Sequence, residues 1–161
     1  MHRLLSGLAI KYIVYHYLKK GVYRNFLETS FWMMNIGFNT LSNQQINTIA
    51  DIGANVGIFA IAARIAFPHA EIHCYEPNAD NIPNLNNQAE SLGLKTFKEV
   101  VSNIDGKCSL SKSTIHDTSA RITNLECGEI PLTSLHKVLY RFESQQIDLL
   151  KLDCEGSEFE I

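Results

Sequence analysis

Four acidic residues carry the chemistry this sequence offers. Asp51 leads the stretch Asp51-Ile52-Gly53-Ala54-Asn55-Val56-Gly57, Glu76 stands in Tyr75-Glu76-Pro77-Asn78, and Asp153 and Glu155 flank Cys154 near the end of the chain. A glycine-rich turn that opens a helix leaves its first backbone N–H groups without intrahelical partners, so they point at a polar ligand over the strand end. Glu76 follows Gly57 by 19 positions, close to the roughly 20-residue spacing at which an acid on the next strand meets ribose hydroxyls. Alone, a glycine turn is often only a turn and a strand-end glutamate only a solvated charge. Together they predict a site for a nucleotide-like cofactor.

The middle of the turn narrows the cofactor. Dinucleotide folds spell G-x-G-x-x-G, with a second glycine that lets the pyrophosphate approach the backbone. Here Asn55 holds that place and keeps a side chain in the way, which argues against a nicotinamide dinucleotide. Asp51 adds a fixed negative charge, unwelcome beside a diphosphate but suited to a cationic ligand such as an amino group near a sulfonium.

The elements that position these residues alternate strand and helix. Ile46–Ala50 reads as a buried parallel strand and Ile58–Phe67 as an apolar helix. Glu71–Pro77 is strand two, and Ile82, Leu85, Ala89 and Leu92 share one face of a crossover helix that Gly93 ends. Thr96–Val101 is expected as strand three, which would bring Ser102 and Asn103 to the same rim as Gly53 and Glu76. Asp105-Gly106 signals a hairpin into an extra ribbon at Lys107–Lys112. The polar loop from Ser113 to Ala120 is long enough to bring His116 and Asp117 over a crevice, although a solvated loop is the plainer reading. Ile130–Ser134 leads into a helix at Leu135–Phe142, capped by Ser134 or Thr133, and Ile147–Leu152 is the fourth parallel strand. The expected fold is α/β, a Rossmann-like, doubly wound, mostly parallel sheet.

Asp153 would end that fourth strand on the cofactor rim, where a transferred group meets its acceptor. Acids such as Glu155 and Glu158 also suit the start of a following helix. Asp153 is therefore the candidate reaction-centre residue and Glu155 its partner. A carboxylate near pKa 3.9 is a weak base at neutral pH, so Asp153 would need a desolvated or like-charged setting, or the pair would hold a divalent cation that acidifies the acceptor. The residues do not separate these two mechanisms.

Three blocks in order carry a family resemblance: the Asp51–Gly57 turn, Tyr75-Glu76-Pro77-Asn78, and Asp148-Leu149-Leu150-Lys151-Leu152-Asp153-Cys154-Glu155-Gly156-Ser157-Glu158. The chain from about residue 46 to 161 resembles the FkbM family of class I S-adenosylmethionine-dependent methyltransferases. The resemblance implies S-adenosylmethionine as cofactor, held by Asp51, Gly53, Ala54, Asn55, Gly57, Glu76 and Asn78, with Ser102 and Asn103 near the adenine. It implies an O-methyltransferase acting on a hydroxyl of a sugar, polyketide or related small molecule. Methyl transfer to oxygen is an in-line displacement, so most of the acceleration comes from holding the acceptor oxygen in line with the leaving sulfur. Members of the class normally continue to a fifth strand and an antiparallel pair, whereas this chain ends at Ile161. The expectation is a cofactor domain at 46–161, truncated after the fourth strand, that binds weakly and is inactive as it stands.

Composition sets the remaining bounds. At 161 residues, 45% hydrophobic and 19% charged, the chain reads as a soluble globular protein. A net charge of −3 gives no reason to expect nucleic acid, yet Arg3, Lys11, Lys19, Lys20 and Arg24 give the first 27 residues +5, leaving −8 for the rest. Residues 1–45 are expected as a helical segment with Leu4, Leu5, Leu8, Tyr12, Tyr15 and Leu18 on one face. That face could make peripheral membrane contact; packing against the sheet or a sister subunit is the plainer reading. Lys11, His16 and Lys19-Lys20 break any transmembrane run, and no secretory signal is evident, which points to the cytoplasm. Cys74, Cys108, Cys127 and Cys154 lie 34, 19 and 27 positions apart with no CxxC, and the histidines are scattered along the chain, so neither a disulfide framework nor a zinc spacing is read. Two competing readings stand beside the methyltransferase: a non-catalytic membrane or partner-binding module, and an NAD-dependent oxidoreductase.

Overall fold

The structure is a computed structural model that describes residues 38–41, 44–112, 120–124 and 128–154. The chain divides into two compact units, Met1–Ser42 and Asn43–Ile161. In the first, only the single turn α1 (Phe38–Leu41) is described, so the basic amino-terminal helix lies outside the described residues, as do His116, Asp117 and Glu155.

The second unit begins with β1 (Thr48–Ile52), buried along its whole length. Gly57 precedes α2 (Ile58–Ala66), whose Phe59 to Ala63 are all buried; small alanines let this helix lie close to the strands. The Phe67 N–H bonds the Ala63 carbonyl at 2.7 Å, and Pro68 cannot extend the helix. After β2 (Glu71–Tyr75), α3 (Ile82–Leu92) carries proline in its first turn and ends on left-handed Gly93. Arg64 joins the two helices by donating to the Leu92, Gly93, Pro68 and Ala70 carbonyls.

β3 (Lys95–Phe97) and β8 (Leu149–Leu152) complete a four-stranded sheet in the order β3-β2-β1-β8. Every pairing in it is parallel. The strand order reverses between β1 and β8, and in open α/β sheets that reversal opens a crevice beyond the carboxyl ends of the strands. The parallel doubly wound expectation is borne out.

The expected third strand is two strands in different sheets. β3 stops at Phe97, and β4 (Val100–Ser102) pairs in parallel with β7 (Ile130–Ser134). Glu99 sits at the break, and its carboxylate is fixed by both outer nitrogens of Arg141 at 2.8 and 3.1 Å and by the Thr133 hydroxyl at 2.5 Å. The bend is therefore held by residues far along the chain. Ile130–Ser134, expected only as a lead-in, is a central strand of the second sheet, which runs β4-β7-β5-β6. β5 (Gly106–Lys112) is the expected ribbon strand, paired antiparallel with β6 (Ala120–Asn124) and with β7. The Asp105-Gly106 hairpin is corrected: β5 does not fold back on β4, and Asp105 instead takes the Ser134 N–H at 2.9 Å.

The helix after β7 is α4 (Leu135–Tyr140), with the Ser134 hydroxyl accepting the Lys137 N–H. The helix ends before Phe142, which is 1% exposed and joins Ala50, Ile52, Tyr75, Val101 and Val138 in one apolar core. Val101 comes from the second sheet, so this core binds the two sheets together. Val100, Cys108 and Leu132 form a smaller cluster within the second sheet.

Candidate active site at the carboxyl ends of the parallel strands

The turn after β1 needs three left-handed residues in five. Gly53 has φ +76°, Asn55 +51° and Gly57 +88°; asparagine is among the few residues with a side chain that tolerate this region. The Gly53 and Ala54 N–H groups share the Tyr75 carbonyl at 3.0 Å, and the Gly57 N–H bonds the Ala54 carbonyl at 2.8 Å. The glycines serve contacts that the sequence did not reveal. A Cβ on Gly53 would overlap the Asp153 carbonyl, so this glycine lets the end of β8 close against the turn. A Cβ on Gly57 would sit 3.0 Å from Leu85 Cδ1, so Gly57 makes room for α3. The Asn55 side chain is exposed.

Glu76 ends β2 with 6% of its surface exposed. Its Oε2 accepts the Asn55 N–H at 2.7 Å, while Oε1 accepts the Asn78 N–H at 2.8 Å and the Asn81 side-chain amide at 3.2 Å. One carboxylate thus ties the β1 turn to the entry of α3. Asn78 in turn accepts the Asp80 N–H through Oδ1 at 3.0 Å, a side-chain turn that shapes the same loop.

Asp51 is completely buried at the end of β1. The cation facing it belongs to the protein: Lys151 Nζ lies 3.1 Å from Asp51 Oδ1. The contact is an ion pair, and by hydrogen-bond geometry both carboxylate oxygens have acceptor capacity left. The same ammonium donates to the Gly53 carbonyl at 2.6 Å and stands 3.7 Å from Asp153 Oδ2. Burial pushes the Asp51 carboxyl up; Lys151 opposes that rise, and the charges of Asp153 and Glu76 add to it. Nothing in its local spacing marks Lys151 for this role. The available signal was a lone charge in the otherwise apolar run Leu149-Leu150-Lys151-Leu152.

Asp153 follows β8 with its side chain 65% exposed, and its N–H bonds the Ile52 carbonyl at 3.1 Å. It shares the rim with Asp51, Gly53 and Glu76. Ser102 and Asn103 reach their places differently from the expectation. Ser102 lies opposite Ser134 in the second sheet, and its hydroxyl meets Asn103 Oδ1 at 3.3 Å; neither residue ends a strand of the first sheet. Cys74 and Cys108 are buried, and burial raises both thiols, that of Cys74 well above its ordinary value. Cys154 follows β8 rather than lying in it. Among the described residues no three acidic, histidine or cysteine side chains converge as a metal site, and no helix is long and apolar enough to cross a membrane.

A parallel sheet whose order reverses between β1 and β8, with a glycine turn and a buried aspartate there and a glutamate at the end of neighbouring β2, defines a Rossmann-like α/β protein. The methyltransferase FkbM domain matches residues 51–161, and the chain belongs to that family. No curated protein matches. Among solved structures the chain is similar to a candidate RNA methyltransferase of Pyrococcus horikoshii, with 23% identity over 44% of this chain and 36% of that one, TM-score 0.36. It is similar also to a SAM-dependent methyltransferase of Agrobacterium tumefaciens, 14% identical over 50% of this chain and 26% of that one, TM-score 0.37. A third is the SAH-bound Podospora anserina methyltransferase PaMTH1, 14% identical over 60% and 51%, TM-score 0.34. The chain therefore spans between about a quarter and a half of the length of these structures.

Proposed function

We propose that residues 46–161 form the S-adenosylmethionine-binding part of an O-methyltransferase whose acceptor is a hydroxyl of a small molecule such as a sugar or polyketide. The observation that carries this reading is Glu76: a nearly buried carboxylate that already fixes the glycine turn through the Asn55 N–H. Family membership supplies the class of reaction.

The residues fit the cofactor. Glu76 accepts two donors on Oε1 and one on Oε2, which leaves acceptor capacity for a ribose hydroxyl. Asp51 presents a buried carboxylate with acceptor capacity left, suited to the cationic amino-acid end. Gly53, Ala54, Asn55, Gly57 and Asn78 would line the contact with backbone groups, and Ser102 and Asn103 would serve the base. S-adenosylmethionine, when bound, supplies an electrophilic methyl group on a sulfonium. Asp153, exposed on the rim, would orient the acceptor hydroxyl and take its proton, with Glu155 as partner; alternatively the two would hold a divalent cation. Buried thiols at Cys74 and Cys108 agree with a reducing, cytoplasmic setting.

Calorimetric titration of S-adenosylhomocysteine into the full chain tests the reading. Binding that weakens at least about tenfold in Glu76→Ala is expected, the loss of one charge-assisted contact being ~1.5–3 kcal/mol. A folded chain that binds NADH but not S-adenosylhomocysteine overturns it.

A further inference from the structure

We propose that Lys151 is a positioning residue of the cofactor site, its ammonium fixing the buried Asp51 carboxylate and the Gly53 carbonyl together so that the β1 turn and the end of β8 form one surface. The inference rests on the reading of this rim as the cofactor site. Lys151 stands directly opposite Asp51 in the parallel register of β1 and β8. From there one Nζ reaches the Gly53 carbonyl at 2.6 Å, Asp51 at 3.1 Å and Asp153 at 3.7 Å. Its side chain is only 18% exposed, and that of Asp51 is not exposed at all. A pair removed from water is screened little by salt, and removing one partner leaves the other charge buried alone.

The neighbours explain why a cation is needed here. Asp51 is faced by Lys151 and Asp153 from β8 and its end, by Glu76 from β2, and by the buried Cys74 thiol of the same strand. Two carboxylates, Asp51 and Asp153, share the one ammonium, and the Glu76 charge acts on Asp51 besides. Without the ammonium, burial and like charge drive Asp51 to hold a proton, and a protonated Asp51 offers a cationic ligand no charge. Lysine also suits the geometry, since a compact ammonium with three donors serves several oxygens around a point, whereas the planar guanidinium of arginine is matched to a bidentate partner. Lys151 thus acts on the ligand through Asp51 and the turn, not by touching reacting atoms.

Two variants and two readouts test this in the full chain. Lys151→Met removes both charge and donors; Lys151→Gln keeps a donor for the Gly53 carbonyl and removes only the charge. The side-chain carboxyl carbon of Asp51, followed by NMR against pH without ligand, is expected to titrate at least about one pH unit higher in both variants than in the native chain. S-adenosylhomocysteine affinity at pH 7 is expected to fall at least about tenfold and to recover as pH rises, a dependence absent from the native chain. Adding Asp51→Asn to either variant should cost far less than Asp51→Asn alone, because the two residues act as a unit. Native binding with unchanged affinity, pH profile and Asp51 titration in both variants overturns the proposal, whatever the change in thermal stability. Failure of the native chain to bind S-adenosylhomocysteine overturns the cofactor reading instead, and the carboxyl titration still decides whether Lys151 holds Asp51.

Discussion

Asp148 and Thr48 bond one another at the start of the β1–β8 pair, 100 positions apart in the chain. Asp148 Oδ2 accepts the Thr48 N–H at 3.0 Å, the Thr48 hydroxyl at 3.1 Å and the Asn47 N–H at 2.7 Å. The Asp148 N–H in return reaches the Thr48 carbonyl and hydroxyl. Register between the strands is thus set at one end by Asp148 and at the other by Lys151. Asp148→Ala is expected to destabilise the chain by about 1.5–3 kcal/mol, through lost charge-assisted hydrogen bonds. Urea unfolding measures it, and Asp148→Asn should recover part of the loss, because its amide oxygen still accepts.

Two glycines with similar backbones should respond differently to alanine. Gly93 has φ +63° and open space around it, so Gly93→Ala meets only the left-handed backbone cost of about 1–2 kcal/mol. Gly53→Ala carries the same cost and also drives a methyl group into the Asp153 carbonyl, so its destabilisation should exceed about 4 kcal/mol. Equal denaturation midpoints for the two variants would show that the β8 end yields without cost.

Stability should fall with acid through His73. Its ring is buried, stacked on Phe142 at 3.9 Å, with Nε2 2.8 Å from Glu71 and Nδ1 without a hydrogen-bond partner. Burial lowers its pKa; Glu71 pulls it up, and Lys95 and Arg141 push it down. Folded His73 therefore binds its proton less readily than in the unfolded chain, where the pKa is near 6.5. Its contribution is fully present above that value and is lost as pH falls from there through the folded pKa. Glu71 adds a lower window of the same sign: burial raises its pKa, but Lys95 and His73 outweigh that and leave it lowered. Unfolding free energies measured from pH 8 to 5 should decline in the native chain and less steeply in His73→Phe. Parallel curves would remove His73 from the account.

The Glu99 fork should not accept lysine. Arg141 makes a bidentate pair with Glu99 while its guanidinium lies 4.4 Å from the Phe97 ring centroid. Arg141→Lys keeps the charge but loses the planar fork and the stacking, and Arg141→Ala leaves Glu99, among the described residues, with the Thr133 hydroxyl. Losses of about 1–2 and 2–4 kcal/mol are expected, read from chemical unfolding. An Arg141→Lys variant as stable as the native chain would refute the role assigned to the fork.

Much of the rim was legible because it is built locally. Gly53, Asn55 and Gly57 announce a turn by residue type, α2 and α3 by apolar spacing, and Glu76 by its distance from the turn. The β1-α2-β2 order then predicts parallel neighbours, since a helix crossover permits little else. The split of Thr96–Val101 was not legible. Nothing within that run bends it; Arg141 and Thr133 do, acting on Glu99 from more than 30 positions away. Ile130–Ser134 was hidden as a strand because Pro131 argues against a central place in a sheet.

The sequence by itself determined the alternating α/β order, the parallel sheet and the identity of Asp51 and Glu76 as candidate site acids, which follow from local spacing; the family was legible only through the resemblance of three motif blocks. Only the tertiary structure decided what those acids meet. Lys151 faces Asp51 because β8 crosses back to the open side of β1 in a register that Asp148 helps to set. Gly53 is glycine because that same closure brings the Asp153 carbonyl against it. Contacts between residues some 100 positions apart depend on which strands pair and in what register, and no local period encodes that.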